Sequence, residues 1–199
     1  MKSSFFKNCL ALLAITLVAG FALSAVNEIT KEPIALAEEK ARSEAYQTVF
    51  SGAQFQAVEN AEELLSKFNT ENAYCSVEDV LEAKDENGNS IGYVMSATSP
   101  SGYGGDIRVA VGISSETEEI TGFSVLANSE TAGLGAKCTE DFFTSQFAGK
   151  SARGISYTKT GASDNTQIDA ISGATVTTNA VTEAVNCALD FYNTALKEG

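Results

Sequence analysis

In "IRVAVGISSETEEITGFSVLANS", residues 107–129, apolar residues alternate with small or polar ones through Ile107–Ser114. The polar run "SETEE" then reverses the chain, and Ile120 opens a second strand-like segment. Alternation with a period of two around a short polar turn predicts an antiparallel hairpin. Upstream, "VEDVLEAKD" (77–85) and "IGYVMSATS" (91–99) flank "ENGN", whose Asn87-Gly88 is a hairpin signal. The four segments read as an antiparallel meander with one face buried.

The flanking segments read mainly as helices. "KEPIALAEEKARSEAYQTVF" (31–50) places Pro33 in a first helical turn, where a missing N–H is harmless. A second short helix is expected over Glu59–Phe68. Beyond the meander, "EDFFTSQFAG" (140–149) predicts a short helix turning Phe142, Phe143 and Phe147 to a core, and "GISYTKT" (154–160) a fifth strand. From Val176 to Leu196, residues Val181, Ala184, Val185, Ala188, Phe191 and Ala195 recur at helical spacing. The fold class is therefore α+β, a twisted antiparallel sheet packed by helices.

"CLALLAITLVAGFALSAV", Cys9–Val26, runs 18 residues without a charge. As a helix it spans about 27 Å, enough for a hydrocarbon core. Lys2 and Lys7 precede it and Glu28 follows, so residues 1–8 are expected in the cytoplasm and the rest of the chain outside. The alternative is a signal peptide cut after "ALS" at Ser24. An uncleaved single-pass anchor over 9–26 is the preferred reading, followed by a helical extension (27–70) and a main domain (71–199).

Residues 27–199 carry 11 of the 13 basic residues and all 26 acidic ones, a formal −15. Such a surface repels nucleic acid and anionic lipid. The chain has no histidine, which excludes Ser-His-Asp and Cys-His catalysis and imidazole metal ligation. Cys9, Cys75, Cys138 and Cys187 are widely spaced, so no zinc or iron–sulfur motif is present and no metal site is expected. One disulfide remains open.

Two short motifs invite chemistry. In "DAISGATVTTNAVTEAV" (169–185), hydroxyl side chains surround Gly173 where a helix begins. Gly173 permits close backbone approach, Ala174 leaves room, and free N–H groups near Thr175 favour an anion. Ordinary helix capping explains the same residues. "ETAGLGAKC" (130–138) is a close-approach loop with Lys137 beyond it, though a plain strand-to-helix turn reads the same way. It is not a dinucleotide fingerprint, since G-x-G-x-x-G is incomplete and no βαβ unit surrounds it. "SGYGGD" (101–106) adds an aromatic face at Tyr103.

Asp169 to Thr175, "DAISGAT", matches the D-x-x-[S/T]-G-A-T flavinylation motif of covalent FMN-binding domains. "ETAGLGAK" resembles that family's E-T-P-G-L-G segment, with Ala132 in place of proline. Together with "GYGGDIRVAVGI" and "TKEPIALAEEKARSEAY", the chain resembles over nearly its whole length the G subunits of Rnf electron-transport complexes. The resemblance implies FMN joined as a phosphoester to Thr175 by a separate flavin transferase that draws on FAD, and hence a phosphoprotein. It implies that Asp169 serves recognition by that transferase, that Ser172, Gly173 and Ala174 shape the acceptor turn, and that Thr177 is also among the cofactor-binding residues. The flavin ring is expected against Tyr103 and the Glu130, Thr131, Gly133, Leu134, Gly135 and Lys137 loop. No catalytic side chain is expected. The implied role is a redox relay in an ion-translocating ferredoxin:NAD⁺ oxidoreductase of the cell membrane, with other membrane subunits as partners. The alternatives are the C subunit of a sodium-pumping NADH:quinone reductase, and a stand-alone extracytoplasmic FMN module.

Overall fold

The meander is present nearly residue for residue in the computed structural model, which describes residues 2–197, with side chains from Phe6 onward. The Lys2 side chain, Met1, Glu198 and Gly199 lie outside the described residues, so the outer limits of the 1–8 and 71–199 segments do too. The chain divides into two units, one ending at Ala41 and the other beginning at Arg42.

The first unit is helical. Helix α1 runs from Lys2 to Val49 as one element, with Pro33 inside it rather than at the start of a new helix. Proline removes one N–H, which leaves the Ile29 carbonyl without its usual donor. Ile29 is exposed, so solvent can satisfy that carbonyl and the helix continues. Over Phe6–Val49 the helix is long and apolar enough to cross a membrane, and its most apolar window is unburied. Leu10, Leu13, Leu17, Phe21 and Leu23 are all exposed.

In the second unit five strands pair in sequence order, antiparallel throughout. They are β1 (Gln54–Ala57), β2 (Ser76–Lys84), β3 (Ser90–Ser99), β4 (Ile107–Ser114) and β5 (Ile120–Ala127). Strand β1, a polar four-residue edge piece, escaped the sequence reading. Helix α2 covers Ala61–Glu71. Helix α4 (Thr175–Phe191) packs on one face of the sheet, with Val181, Ala184, Val185, Ala188 and Phe191 fully buried. Its small alanines let it lie close to β3 and β4. After Phe191 the backbone widens into a π-helical turn, Tyr192–Leu196, and Ala195 is only half-buried.

The expectation of one buried face is corrected. Tyr46, Val49 and Phe50, from the C-terminal end of α1 and the turn after it, cover the other face over Ala83, Val94 and Ala110. Gly112 and Gly122 make that approach possible, because a Cβ on either would collide with the Val49 backbone. Thr121 Oγ1 donates to the Val49 carbonyl at 2.7 Å. Glycines inside two strand patterns were the available signal.

Two further expectations change. Helix α3 is only Asp141–Thr144; Phe143 and Phe147 are buried four residues apart, while Phe142 points off that face and is 53% exposed. Strand β6 (Ser156–Thr158) does not extend the sheet, but pairs in parallel with β7 (Gln167–Asp169) as a separate ribbon. The edge it would have joined, at the start of β5, is taken by residues 149–151: Ile120 N donates to Lys150 O, and Glu119 bridges Ser151. A disulfide joins Cys75, just before β2, to Cys187 in α4. Cys138 is free and buried.

Candidate flavin site

The hydroxyls around Gly173 divide sharply by what they bond. Thr178 is buried; its Oγ1 accepts the Ile171 N–H at 3.0 Å and donates to the Ala174 carbonyl at 3.0 Å. That one side chain secures the turn. The N-cap position is Ala174, which has no side chain able to cap. Thr182 Oγ1 donates to the Thr178 carbonyl, and Thr177 Oγ1 donates to Glu130 Oε2 at 2.7 Å. Among the described residues Thr175, first in α4 and half-buried, makes no side-chain hydrogen bond, nor does exposed Ser172. Securing the turn therefore accounts for Thr178, no hydroxyl caps the helix, and Thr175 is left uncommitted.

Opposite this turn stands the loop after β5. Asn128 Oδ1 accepts from Glu130 N, and the Thr131 carbonyl accepts from Leu134 N and Ala136 N. Glu130 Oε1 accepts from Gly104 N at 3.1 Å, so one carboxylate binds the β3–β4 loop as well as α4. A Cβ on Gly135 would strike the Glu130 carboxylate and Thr177 Oγ1, so glycine there leaves room for these two groups to meet.

These segments enclose a cleft of ≈ 490 Å³. Tyr103, Glu130, Thr131, Leu134 and Gly135 line one side of it. Gly173, Ala174, Thr175 and Thr177 line the other, together with Val176, which sequence reasoning missed. Tyr103, Leu134 and Val176 are exposed apolar surfaces within it. A second cavity of ≈ 240 Å³ adjoins the turn and is lined by Lys159, Ala170, Ile171, Ser172, Gly173 and Thr175. Gly173 and Thr175 thus border both spaces.

The remaining predicted residues lie apart from the larger cleft. Lys137 sits half-buried in a 3₁₀ turn, Gly135–Thr139, and lines neither cavity; Gly133 lines neither as well. Asp169 ends β7, and its Oδ1 accepts from Ala162 N at 2.7 Å. Lys159 was not singled out in the sequence, because it lies ten residues before the motif and no local pattern connects them. Just beyond the cleft, burial and then the Glu130 carboxylate push the Cys138 thiol up to about 11.

The cleft suits a flavin. Its volume falls in the range of small-ligand sites, about 300–1,000 Å³, and it combines apolar walls with few polar groups. A free hydroxyl stands at its edge.

Comparison with known proteins agrees with that fit. Residues 102–190 match the FMN-binding domain family, a span that contains every lining residue of both cavities. The chain is 34% identical over 199 aligned residues to the G subunit of the Na(+)-translocating ferredoxin:NAD(+) oxidoreductase complex of Acetobacterium woodii, covering 96% of this chain and 93% of that one. It belongs to the G-subunit family of ion-translocating oxidoreductase complexes. A second member, the G subunit of the ion-translocating oxidoreductase complex of Methanosarcina acetivorans, is 42% identical over 109 residues, or 55% of each chain. The chain thus aligns with about half the length of that relative. Among solved structures, NqrC from Shewanella oneidensis matches with a TM-score of 0.51 at 25% identity, over 60% of this chain and 61% of that one. The C subunit of the Na(+)-translocating NADH-quinone reductase of Parabacteroides distasonis shares the fold, with a TM-score of 0.54 over 77% of this chain and 81% of that one.

Proposed function

We propose that this G-type subunit is a membrane-anchored electron-transfer flavoprotein whose FMN is bound covalently, as a phosphoester, to Thr175. The observation that carries this reading is the division of labour among the threonines. Thr177 and Thr178 are buried and hydrogen-bonded, whereas Thr175 is accessible, uncommitted and shared by the two cavities. Membership in the G-subunit family and the match to the FMN-binding domain supply the cofactor.

Attachment is a transfer between phosphates. The Thr175 Oγ1–P bond forms as the pyrophosphate bond of FAD breaks, AMP leaves, and the hydroxyl proton passes to a base. An alcohol is a weak nucleophile without such a base. The chain has no histidine; among the described residues the one carboxylate lining either cavity is Glu130, whose oxygens already accept from Thr177 and Gly104. In this reading a separate flavin transferase supplies the activation.

Once bound, FMN supplies an electron carrier able to take and give electrons singly or in pairs. The chain's own residues position it. Leu134, Val176 and Tyr103 offer apolar contact to the ring system, and Glu130 holds the cleft walls together through Thr177 and Gly104. The exposed edge of the cleft leaves the carrier within reach of partners.

The proposal extends to topology. Residues 9–26 form a single span, with residues 1–8 inside and the flavin domain, residues 71–199 together with the preceding segment whose β1 joins its sheet, outside. The Cys75–Cys187 disulfide supports this orientation, because such bonds persist outside the cytoplasm. Electrons then reach the flavin through other membrane subunits of the complex. The test is to express the chain with a flavin transferase and locate the added mass. Wild type and Thr177→Val carry it on Thr175, and Thr175→Ala carries none; the mass on Thr177 would refute the assignment.

A further inference from the structure

We propose that Lys159 holds the phosphate of the flavin on Thr175, and that Asp169 acts through Lys159 by bracing the loop that carries it. The proposal rests on the attachment at Thr175 described above.

Charge separates the two cavities that meet at Gly173 and Thr175. The one charged side chain lining the larger is Glu130, and the one lining the smaller is Lys159. A phosphodiester on Thr175 carries a negative charge. Glu130 repels it, and both Glu130 oxygens are already taken by Thr177 and Gly104. Lys159 attracts it. Placing the ring system with Leu134 and Tyr103 therefore leaves the phosphate oxygens toward the smaller cavity, where Ser172 and Lys159 stand.

Lys159 is otherwise unemployed. It is exposed and makes no ion pair or hydrogen bond among the described residues, in a chain where 26 acidic residues face 13 basic ones. Its backbone, by contrast, is tied on both sides. Thr158 O accepts from Ala170 N at 2.8 Å, and Thr158 Oγ1 accepts from Thr160 N at 3.2 Å. Asp169 Oδ1 accepts from Ala162 N at 2.7 Å, three residues past Lys159. Asp169 itself lines neither cavity, and its charge would oppose a phosphate. Its bond to Ala162 anchors the Lys159 loop to the start of the acceptor turn. Asp169 is thus a positioning residue, and Lys159 the residue that meets the phosphate.

The test uses the purified, unlabelled full chain with flavin transferase and FAD, following covalent fluorescence in a denaturing gel. Lys159→Gln is expected to slow labelling roughly tenfold, the scale of one charge-assisted hydrogen bond, and Lys159→Arg to restore most of the rate. Asp169→Asn keeps an acceptor for Ala162 and is expected to label at close to the wild-type rate, while Asp169→Ala is slowed like Lys159→Gln. In the labelled chain, the ³¹P resonance is expected to move on Lys159→Gln, a readout that a purely structural lysine would leave alone. Thermal unfolding of each variant confirms that it is folded. Equal rates for Lys159→Gln and wild type, or no rescue by arginine, overturn the proposal while the attachment stands. A wild-type chain that takes no label overturns the attachment, and this proposal with it.

Discussion

Thr177 Oγ1 lies 2.7 Å from Glu130 Oε2, joining residues 47 apart in the chain across the wall of the flavin cleft. The other carboxylate oxygen accepts from Gly104 N, so three segments meet on one side chain. Glu130→Ala leaves the buried Thr177 hydroxyl without its acceptor, at a cost of about 1–3 kcal/mol. A loss of that size in the unfolding free energy, read as a lower denaturant midpoint, with brighter and more solvent-exposed fluorescence from bound flavin, is the expected result.

The Cys75–Cys187 bond closes a loop of 112 residues and ties β2 to the helix that starts at Thr175. Cross-links over loops of this length stabilise by about 2–5 kcal/mol. Thermal unfolding with and without a reductant should show a lower midpoint on reduction. The Cys75→Ala, Cys187→Ala double variant should match the reduced protein.

Cys138 provides a pH test. Burial, with a smaller contribution from Glu130, raises its thiol from 9.0 to about 11 in the folded chain. The unfolded chain loses this proton first, so the contribution to stability is complete below pH 9 and is lost as pH rises toward 11. Wild type should lose stability over that interval relative to Cys138→Ala. At pH 8 iodoacetamide should leave Cys138 unmodified until denaturant is added.

The proposed topology predicts a protease pattern. Protease outside sealed cells should digest the flavin domain and spare the first ~30 residues, which the positive flank holds inside. A mature chain beginning near Ala25 would instead demonstrate signal-peptide cleavage.

The purified, flavinylated full chain should be yellow and reducible by dithionite, but should not turn over NADH. It has no complete dinucleotide fingerprint to place a nicotinamide for hydride transfer. Steady NADH oxidation that disappears with Thr175→Ala would make it a reductase rather than a relay.

Strands β2–β5 and helix α4 were legible because their signals are local: alternation, the Asn87-Gly88 turn, and helical spacing of Val181 through Phe191. The acceptor turn was legible for the same reason, its motif spanning only seven residues from Asp169 to Thr175. Other features depend on distant partners. Strand β1 exists by pairing with β2, and the second buried face exists because Val49 seats against Gly112 and Gly122. Phe142 and Phe143 are both apolar and adjacent, and only the direction of α3 sends one inward and the other to solvent. Among the threonines, composition assigns the same hydroxyl to Thr175, Thr177 and Thr178. Their different fates follow from packing, which brings Glu130 to Thr177 and folds Ile171 back on Thr178, leaving Thr175 unbonded between two cavities. Lys159 joins that site because β6 pairs with β7, a contact between segments about ten residues apart that no periodicity within either strand encodes.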